Sequence, residues 1–352
     1  MNSQISDAPY YDDGDSSAAN ARMVLSLLLI FSACLIADSV VALRPLTVGT
    51  DTRIYAGVFL SMRDAFVETR FEPIFALVTR LLSATGMSIA GYQASLFGIS
   101  LLTAAMAARR YFHYLGGTRG YLTFLIAGLM FLFLSPMFVN GSINAVRQGL
   151  ASLLVFAALL SFHHRQWRSF VVYGVLASGF HYSSLLYLAF APLLLFNMRV
   201  QRVVAVTAFV AYCSGLTMIM VRAFVPSLYN AVMAYVAGSD YRAGVRIDFA
   251  VFAMFWYFLP YLLSRMVREP FSTRIKQSMA VYSVMLLPFF TVGWGNFSNR
   301  YLLGPWEAAS LIVAAIFCFS RFPPLRHPLL LASGLLAASG VFCYYVTYQV
   351  II

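Results

Sequence analysis

Long runs of apolar residues, separated by short polar or basic stretches, dominate the chain from residue 22 onwards. Such runs are typical of membrane-spanning helices, which need about 20 apolar residues to cross the hydrocarbon core. The two shortest runs, 168–180 and 182–196, are interpreted either as two cramped spans or as one broken span. Eleven candidate spans are predicted: 22–44, 88–108, 121–138, 147–162, 168–180, 182–196, 203–221, 248–264, 278–294, 301–319 and 328–350.

The segment 49–87 breaks this pattern. Between Asp51 and Val67 the apolar residues recur at helical spacing with charged residues opposite them, and 71–82 is similar, with Arg80 in its middle. Helices that are apolar on one face and charged on the other lie in the plane of the membrane interface. We therefore predict that 49–87 carries two external helices that do not cross the membrane.

Basic residues at the span ends test this arrangement. With the N-terminus inside, every basic cluster between spans falls on the cytoplasmic side, as expected of membrane proteins. If 71–85 crossed the bilayer, these clusters would all lie outside. The sequence thus predicts a disordered acidic cytoplasmic tail over 1–20, a single polytopic membrane domain over 21–352, and an external C-terminus. The clusters contain Arg109, Arg110, Arg119, Arg165, Arg168, Arg199, Arg202, Arg265, Arg268, Arg274, Lys276, Arg321 and Arg326.

Composition excludes a soluble protein. Of the 352 residues, 61% are hydrophobic and 11% are charged, whereas a soluble chain carries roughly 25% charged residues. The mean hydropathy is +0.78. Long runs, as opposed to alternating ten-residue segments, favour helices over a β-barrel. The fold class predicted is an all-α integral membrane protein.

The predicted external surface is unusually rich in arginine, although the net charge of +11 does not indicate a nucleic-acid partner, because the basic residues lie at span ends. Arginine holds phosphate bidentately, so this surplus predicts an anionic ligand on the outer face. Contacts with lipid head groups are the alternative. The external arginines are Arg44, Arg53, Arg63, Arg70, Arg80, Arg147, Arg222, Arg242, Arg246 and Arg300.

Two carboxylates lie in the predicted external segment. Asp51 follows the first span, where a carboxylate can orient or deprotonate a hydroxyl at the membrane surface. It also suits the N-cap of the next helix, and the two roles are compatible. Glu72 precedes Pro73 and is a substrate-binding candidate, or a helix-start residue favoured by the helix dipole.

Further candidates lie at two other outer junctions. Asn144, Arg147 and Gln148 open the fourth span and share one helix face. An arginine there opposes the helix dipole, so it marks a functional site. His181, with Ser183 after it, joins the two shortest spans, and its imidazole is either a base or phosphate donor, or a structural residue.

A polar turn over 296–301 precedes the tenth span. Its Asn299 and Arg300 suit a phosphate-binding clamp, and an ordinary hydrophilic turn is the alternative. The cysteines and histidines show no metal-ligand spacing. No cofactor and no metal are expected.

Several of these features together resemble the EpsG family of Wzy-like polysaccharide polymerases, over most of 25–305. They are Asp51 with Tyr55, Glu72-Pro73, Arg147-Gln148 and His181-Tyr182-Ser183.

The resemblance implies the architecture of C-type glycosyltransferases, with external juxtamembrane helices after the first span. The implied reaction joins oligosaccharide repeats, carried on undecaprenyl pyrophosphate, into O-antigen, capsule or exopolysaccharide at the outer face of a bacterial inner membrane. On this hypothesis Arg147, Arg300 and Arg80 stabilise the leaving pyrophosphate. Asp51 is the first candidate for the base, and His181 is the second. The other predicted substrate-binding residues are Tyr55, Glu72, Asn144, Gln148, Ser183 and Asn299.

Two alternatives remain open. A transporter or flippase of lipid-linked oligosaccharides needs polar residues near the membrane midplane, whereas here they cluster at one face. A glycan ligase, or a polyprenyl-linked monosaccharide transferase, is not separated from a polymerase by the sequence. The partners expected are the lipid-linked oligosaccharide and the bilayer, with a chain-length regulator and a flippase as candidates, and no nucleic acid.

Overall fold

The computed structural model describes residues 16–64, 69–234, 244–295 and 298–350, and it confirms the predicted all-α integral membrane protein. Besides helices and loops, these ranges contain one isolated β-bridge, between Val267 and Ser320. Short 3₁₀ turns cover Ala191–Leu195, Ser264–Met266 and Pro323–Arg326. The α-helices are α1 Ser16–Leu43, α2 Thr52–Asp64, α3 Pro73–Ala84, α4 Ile89–Tyr114, α5 Tyr121–Phe133, α6 Pro136–Ile143, α7 Val146–His163, α8 Trp167–Phe180, α9 Ser184–Ala189, α10 Met198–Cys213, α11 Leu216–Phe224, α12 Pro226–Ala234, α13 Ile247–Leu263, α14 Phe271–Val292, α15 Arg300–Cys318 and α16 Pro328–Thr347.

Seven of the described helices are long and apolar enough to cross a membrane, namely α1, α4, α7, α13, α14, α15 and α16. Two bent pairs, α5 with α6 and α10 with α11, raise the total to nine if each pair is one span. The two shortest predicted spans correspond to α8 and to α9 with its 3₁₀ turn, which fall short of spanning length. The total of eleven spans stays a prediction.

Local sequence explains the two bends. The pair α5 and α6 meets at 82°, so the predicted continuous span 121–138 is broken. Pro136 is the cause, because proline disfavours the helical conformation of the residue before it. The predicted span 203–221 is likewise bent, by 87°. There Gly215 adopts a φ of +75°, which ends α10.

Other helix ends differ from those predicted. Helix α14 begins at Phe271, seven residues before the predicted span begins at 278, and in its first turn the guanidinium of Arg274 donates to the Leu115 carbonyl 2.7 Å away. This contact satisfies a charge within the first turn of the helix. Helix α1 begins at Ser16, so residues 16–20, predicted as disordered tail, are helical. Residues 1–15 of that tail lie outside the described residues.

The centre of the bundle is formed by α7, α14 and α15, whose side chains are almost all buried. Outer helices such as α1 and α13 expose large apolar side chains on one face, as expected against lipid. Helices α6 and α7 cross with their backbones in contact, because a Cβ added to Gly149 would lie 2.3 Å from the Gly141 carbonyl oxygen. Small residues allow this approach.

The segment between α1 and α4 folds as two short helices, as predicted. With 13 and 12 residues, α2 and α3 are about 20 Å and 18 Å long, well short of a hydrocarbon core of about 30 Å. The Ser83 hydroxyl donates to the Phe59 carbonyl at 2.7 Å and ties α3 to α2. Residues 65–67 of the first predicted helix lie outside the described residues. The membrane side of this segment and the division into tail and membrane domain stay predictions.

Candidate active site

The candidate site lies at the end of the bundle where α3 and α7 begin and α8 ends. The structure brings Glu72, Arg147 and His181 together here, from three elements far apart in sequence. Glu72 is 3% exposed. Its Oε2 accepts from Nη1 of Arg147 at 2.7 Å, and its Oε1 accepts from Nδ1 of His181 at 2.6 Å. A buried carboxylate is thus paired on both oxygens.

Helix α3 places this carboxylate. Glu72 occupies the N-cap position in an extended conformation, and Pro73 fixes the first turn of the helix. The Glu72 side chain makes no capping bond to its own helix, so it points into the cluster instead. Helix α3 packs closely on α8, because a Cβ added to Gly179 would lie 2.4 Å from Cδ1 of Ile74. The glycine allows α3 to deliver Glu72 beside the end of α8.

The ionised form of Glu72 is strongly favoured. Burial of the carboxyl raises its pKa, but the hydrogen bond from His181, a backbone hydrogen bond and the hydrogen bond from Arg147 outweigh this, and the pKa falls from 4.5 to about 2. At neutral pH the Glu72 carboxylate is therefore negatively charged, and it lies between Arg147 and His181.

Arg147 is held by aromatic rings as well as by Glu72. It lies in the first turn of α7, with its guanidinium carbon 5.1 Å from the Phe71 ring centroid and 6.0 Å from that of Tyr55. Tyr55 also packs against Phe71 and Phe75. Burial raises the pKa of the Tyr55 phenol, and the charge of Asp51 adds to this effect. The rings shield the Arg147–Glu72 pair from water, which strengthens it.

His181 is oriented for proton transfer. Its extended backbone ends α8, and α9 begins three residues later. A carboxylate is only an acceptor, so the Nδ1 that faces Glu72 carries a proton, and in the neutral ring the lone pair is on Nε2. The His181 side chain is 25% exposed. A carboxylate, an imidazole and an open ring nitrogen form the arrangement that holds a general base in one tautomer.

Asp51 lies in a second polar group, built around Asn144. The Thr50 hydroxyl donates to Oδ1 of Asn144 at 2.6 Å, and the backbone N–H of Asp51 donates to the same oxygen at 3.4 Å. Nδ2 of Asn144 donates to Oδ1 of Asn140 at 3.1 Å. These bonds fasten the start of α2 to the α6–α7 junction. They leave the Asp51 carboxylate 3.9 Å from Nη2 of Arg300.

The start of α15 completes this group. Asn299 is buried at the N-cap position of α15, directly before Arg300. Nε2 of Gln148 donates to the Arg300 carbonyl at 2.6 Å, which ties α15 to α7. Gln148 and Ser183 also line a cavity of about 10 Å³, together with Tyr187. That volume is close to the smallest that can hold one water molecule.

One predicted residue lies away from these groups, and part of the predicted polar turn is not described. Arg80 is exposed on α3, eight residues and about 12 Å along the helix from Glu72. Asn296 and Phe297, in the predicted polar turn, lie outside the described residues.

Two buried polar residues were absent from the sequence-based candidates. Asn140 could have been identified from the sequence, since it precedes the candidate Asn144 by four residues, or about one helical turn. Glu307 is 1% exposed inside the spanning helix α15, and its Oε2 accepts a hydrogen bond from Ser152. A lone carboxylate in an apolar run is itself a signal. The contact between Ser152 and Glu307 holds α7 and α15 in register beneath Gln148 and Arg300.

No cluster of three or more histidine, cysteine, aspartate or glutamate residues that could hold a metal ion occurs in the described part of the chain. Independence from metal stays a prediction. The groups assembled at the site are instead suited to proton transfer and to binding an anion.

A family model described as the EpsG family matches residues 27–351, which is nearly the whole chain. No curated protein and no solved structure matches this chain. The matched range includes all the polar residues that the fold gathers at one end of the bundle, and the chain belongs to the EpsG family.

Proposed function

We propose that this protein is a polysaccharide polymerase that joins oligosaccharide repeat units carried on undecaprenyl pyrophosphate, at the outer face of a bacterial inner membrane. The observation that carries the proposal is the cluster of Glu72, Arg147 and His181 beside the Asp51–Arg300 pair. One group suits a base, and two arginines suit a pyrophosphate. Membership of the EpsG family supports the same class of reaction.

The proposed base is His181. Glu72 holds its Nδ1, so its Nε2 accepts the proton of the acceptor sugar hydroxyl. The hydroxyl oxygen attacks the anomeric carbon of the growing chain. The bond from that carbon to the pyrophosphate breaks, and undecaprenyl pyrophosphate leaves with the electron pair. This assignment prefers His181 over Asp51, because Asp51 faces Arg300 and His181 has an orienting carboxylate of its own.

The arginines have separate tasks in this mechanism. Negative charge grows on the leaving pyrophosphate, and fixed cations in a water-poor site stabilise it by several kcal/mol. Arg147 is fixed by Glu72 and the aromatic rings. Arg300 is positioned by Asp51 and by the Gln148 bond to its backbone. Both arginines lie at the start of buried helices, where their side chains are partly exposed to solvent.

The test is a reaction with purified protein in nanodiscs and an undecaprenyl-pyrophosphate-linked repeat unit. We expect a ladder of products that differ by one repeat. His181→Ala and Arg147→Ala should each lower the rate by roughly 10² to 10⁴-fold. The matched controls are His113→Ala and Arg109→Ala. Both residues are exposed in the last turns of α4, outside the candidate site, and both variants should keep the wild-type rate.

Two other outcomes would indicate the alternative functions. A single transfer product without a ladder would indicate a ligase or a monosaccharide transferase. In sealed vesicles, substrate that crosses the bilayer without forming a new glycosidic bond would indicate a flippase. Either result would overturn the polymerase proposal.

A further inference from the structure

A proline in α15 removes the helical donor of one backbone carbonyl near the candidate site. In an α-helix the carbonyl of residue 301 accepts from the N–H of residue 305, but Pro305 has no N–H. The hydroxyl of Tyr187 takes this place, since it donates to the Tyr301 carbonyl at 2.9 Å. Tyr187 is 4% exposed, and a buried phenol hydroxyl needs such a partner. The contact therefore satisfies a donor and an acceptor together.

Tyr187 belongs to the short helix α9, which follows His181. Two hydrogen bonds from Ser184 hold the chain between them. The Ser184 N–H donates to the His181 carbonyl at 3.1 Å, and the Ser184 hydroxyl donates to the Ala177 carbonyl at 3.2 Å. The Ala177 carbonyl also accepts from the His181 N–H at 2.9 Å. The positions of α9 and of His181 therefore depend on each other.

On the other side of the contact, Tyr301 directly follows Arg300. The Arg300 carbonyl accepts from Nε2 of Gln148 at 2.6 Å, so two consecutive carbonyls of α15 are held, one from α7 and one from α9. Gln148 and Tyr187 also line the same small cavity. The first turn of α15, which carries the Arg300 guanidinium, is thus fixed relative to both helices.

We propose that Tyr187 is a positioning residue, which sets the distance between His181 and the guanidinium of Arg300. The inference rests on the proposed function and deepens it, because that reaction takes place between these two groups. The acceptor hydroxyl faces the base and the leaving pyrophosphate faces the arginine, so both must be held relative to one anomeric carbon. A misplacement of about 1 Å costs about 10²-fold in rate. A hydrogen bond that joins the two elements therefore contributes to catalysis without touching the substrate.

The first test is Tyr187→Phe, which removes the hydroxyl and keeps the ring. With saturating lipid-linked repeat unit, we expect the rate of ladder formation to fall about 10-fold to 100-fold, because the first turn of α15 is no longer tied to α9. Tyr282→Phe is the matched control. Tyr282 is fully buried, and its hydroxyl donates to the Ala253 carbonyl at 3.3 Å, between α14 and α13. This variant should keep the wild-type rate within about twofold, because the bond lies outside the candidate site.

A second substitution separates positioning from a simple loss of helix stability. Pro305→Ala returns an N–H to position 305, so the Tyr301 carbonyl can again accept within α15. In Tyr187→Phe alone, the amides of 301–304 should exchange with deuterium faster than in wild type. Adding Pro305→Ala should restore slow exchange, while the rate of ladder formation stays at the level of Tyr187→Phe. Pro305→Ala alone should keep the wild-type rate within about threefold, because Tyr187 still donates to Tyr301.

A wild-type rate in the double variant would overturn the inference, because the carbonyl would then matter only to its own helix. A wild-type rate in Tyr187→Phe, with a ladder formed by the wild-type protein, would overturn it as well. The exchange measurement does not depend on activity. Faster exchange over 301–304 in Tyr187→Phe, combined with a wild-type protein that forms no ladder, would support the link between α9 and α15 and contradict the polymerase.

Discussion

Replacing Glu72 by glutamine removes one charge from the site at nearly constant shape. The amide of the Glu72→Gln variant would keep an oxygen for one partner, but the Arg147 side chain, which is only 26% exposed, would lose its carboxylate partner. The cost follows from the pKa of Glu72, which lies at about 2 in place of 4.5. Each unit is worth about 1.4 kcal/mol, so the ionised carboxylate stabilises the fold by roughly 3 kcal/mol. The same change should also lower turnover by at least tenfold, because His181 loses its orienting anion.

The stabilisation has a defined pH dependence. A carboxyl whose folded-state pKa is depressed contributes fully above its unfolded value and loses that contribution as the pH falls through the folded value. For Glu72 this places the loss between about pH 4.5 and pH 2. The wild-type free energy of unfolding should therefore fall by roughly 3 kcal/mol more across this window than that of Glu72→Gln.

The measurement is SDS-induced unfolding in mixed micelles, followed by circular dichroism at pH 6 and at pH 2.5. Glu269→Gln is the comparison variant, because Glu269 is a solvent-exposed carboxylate whose pKa is lowered by its hydrogen bond with Thr273. Water screens this exposed contact, so the variant should keep most of the wild-type pH dependence that Glu72→Gln loses. If Glu72→Gln retains the full wild-type pH dependence, the carboxylate is not held by Arg147 and His181 as described, and the assignment of His181 as the oriented base loses its basis.

Three further predictions concern neighbouring contacts. Arg147→Lys should lower the polymerisation rate more than tenfold with little loss of folding, because lysine keeps the charge but neither stacks on Phe71 nor presents a planar fork to phosphate. A wild-type rate would show that a point charge suffices. Gly149→Ala should destabilise the protein by about 1–3 kcal/mol in the SDS assay, because its Cβ would collide with the Gly141 carbonyl, whereas Gly98→Ala, with open space around it, should be neutral or slightly stabilising. Asn144→Ala should cost about 1–3 kcal/mol of stability, because it leaves the Thr50 hydroxyl without its acceptor; equal unfolding curves for variant and wild type would exclude that role.

The order of helices could be predicted from the sequence because hydropathy reports burial in lipid directly. The bends in 121–138 and 203–221 could have been predicted from Pro136 and Gly215. They were missed because only the length of each apolar run was considered. The early start of α14 was hidden for the opposite reason. Its first turns contain Arg274, and a basic residue there resembles a loop until its partner, the Leu115 carbonyl, is known.

The candidate site was only partly predictable. Position at a span mouth singled out Asp51, Arg147 and His181, because polar residues there have few structural uses. The central place of Glu72 could not be predicted, since it depends on α3 packing against α8 across 109 residues of sequence separation. Tertiary contact converts an apparent helix-start residue into the shared partner of an arginine and a histidine.

The polar groups at the site lie at interruptions between helices or in the first turn after one, and this has a physical reason. Glu72 precedes α3, Asn144 separates α6 from α7, His181 separates α8 from α9, and Arg300 begins α15. A charged group within a continuous span would be surrounded by hydrocarbon, whereas an interruption offers backbone and side-chain partners. Helix α8, which ends at the site, has 14 residues and measures about 21 Å, against a core of about 30 Å. A helix of this length does not cross such a core, and the interruption at its end is occupied by His181, whose imidazole is held by Glu72.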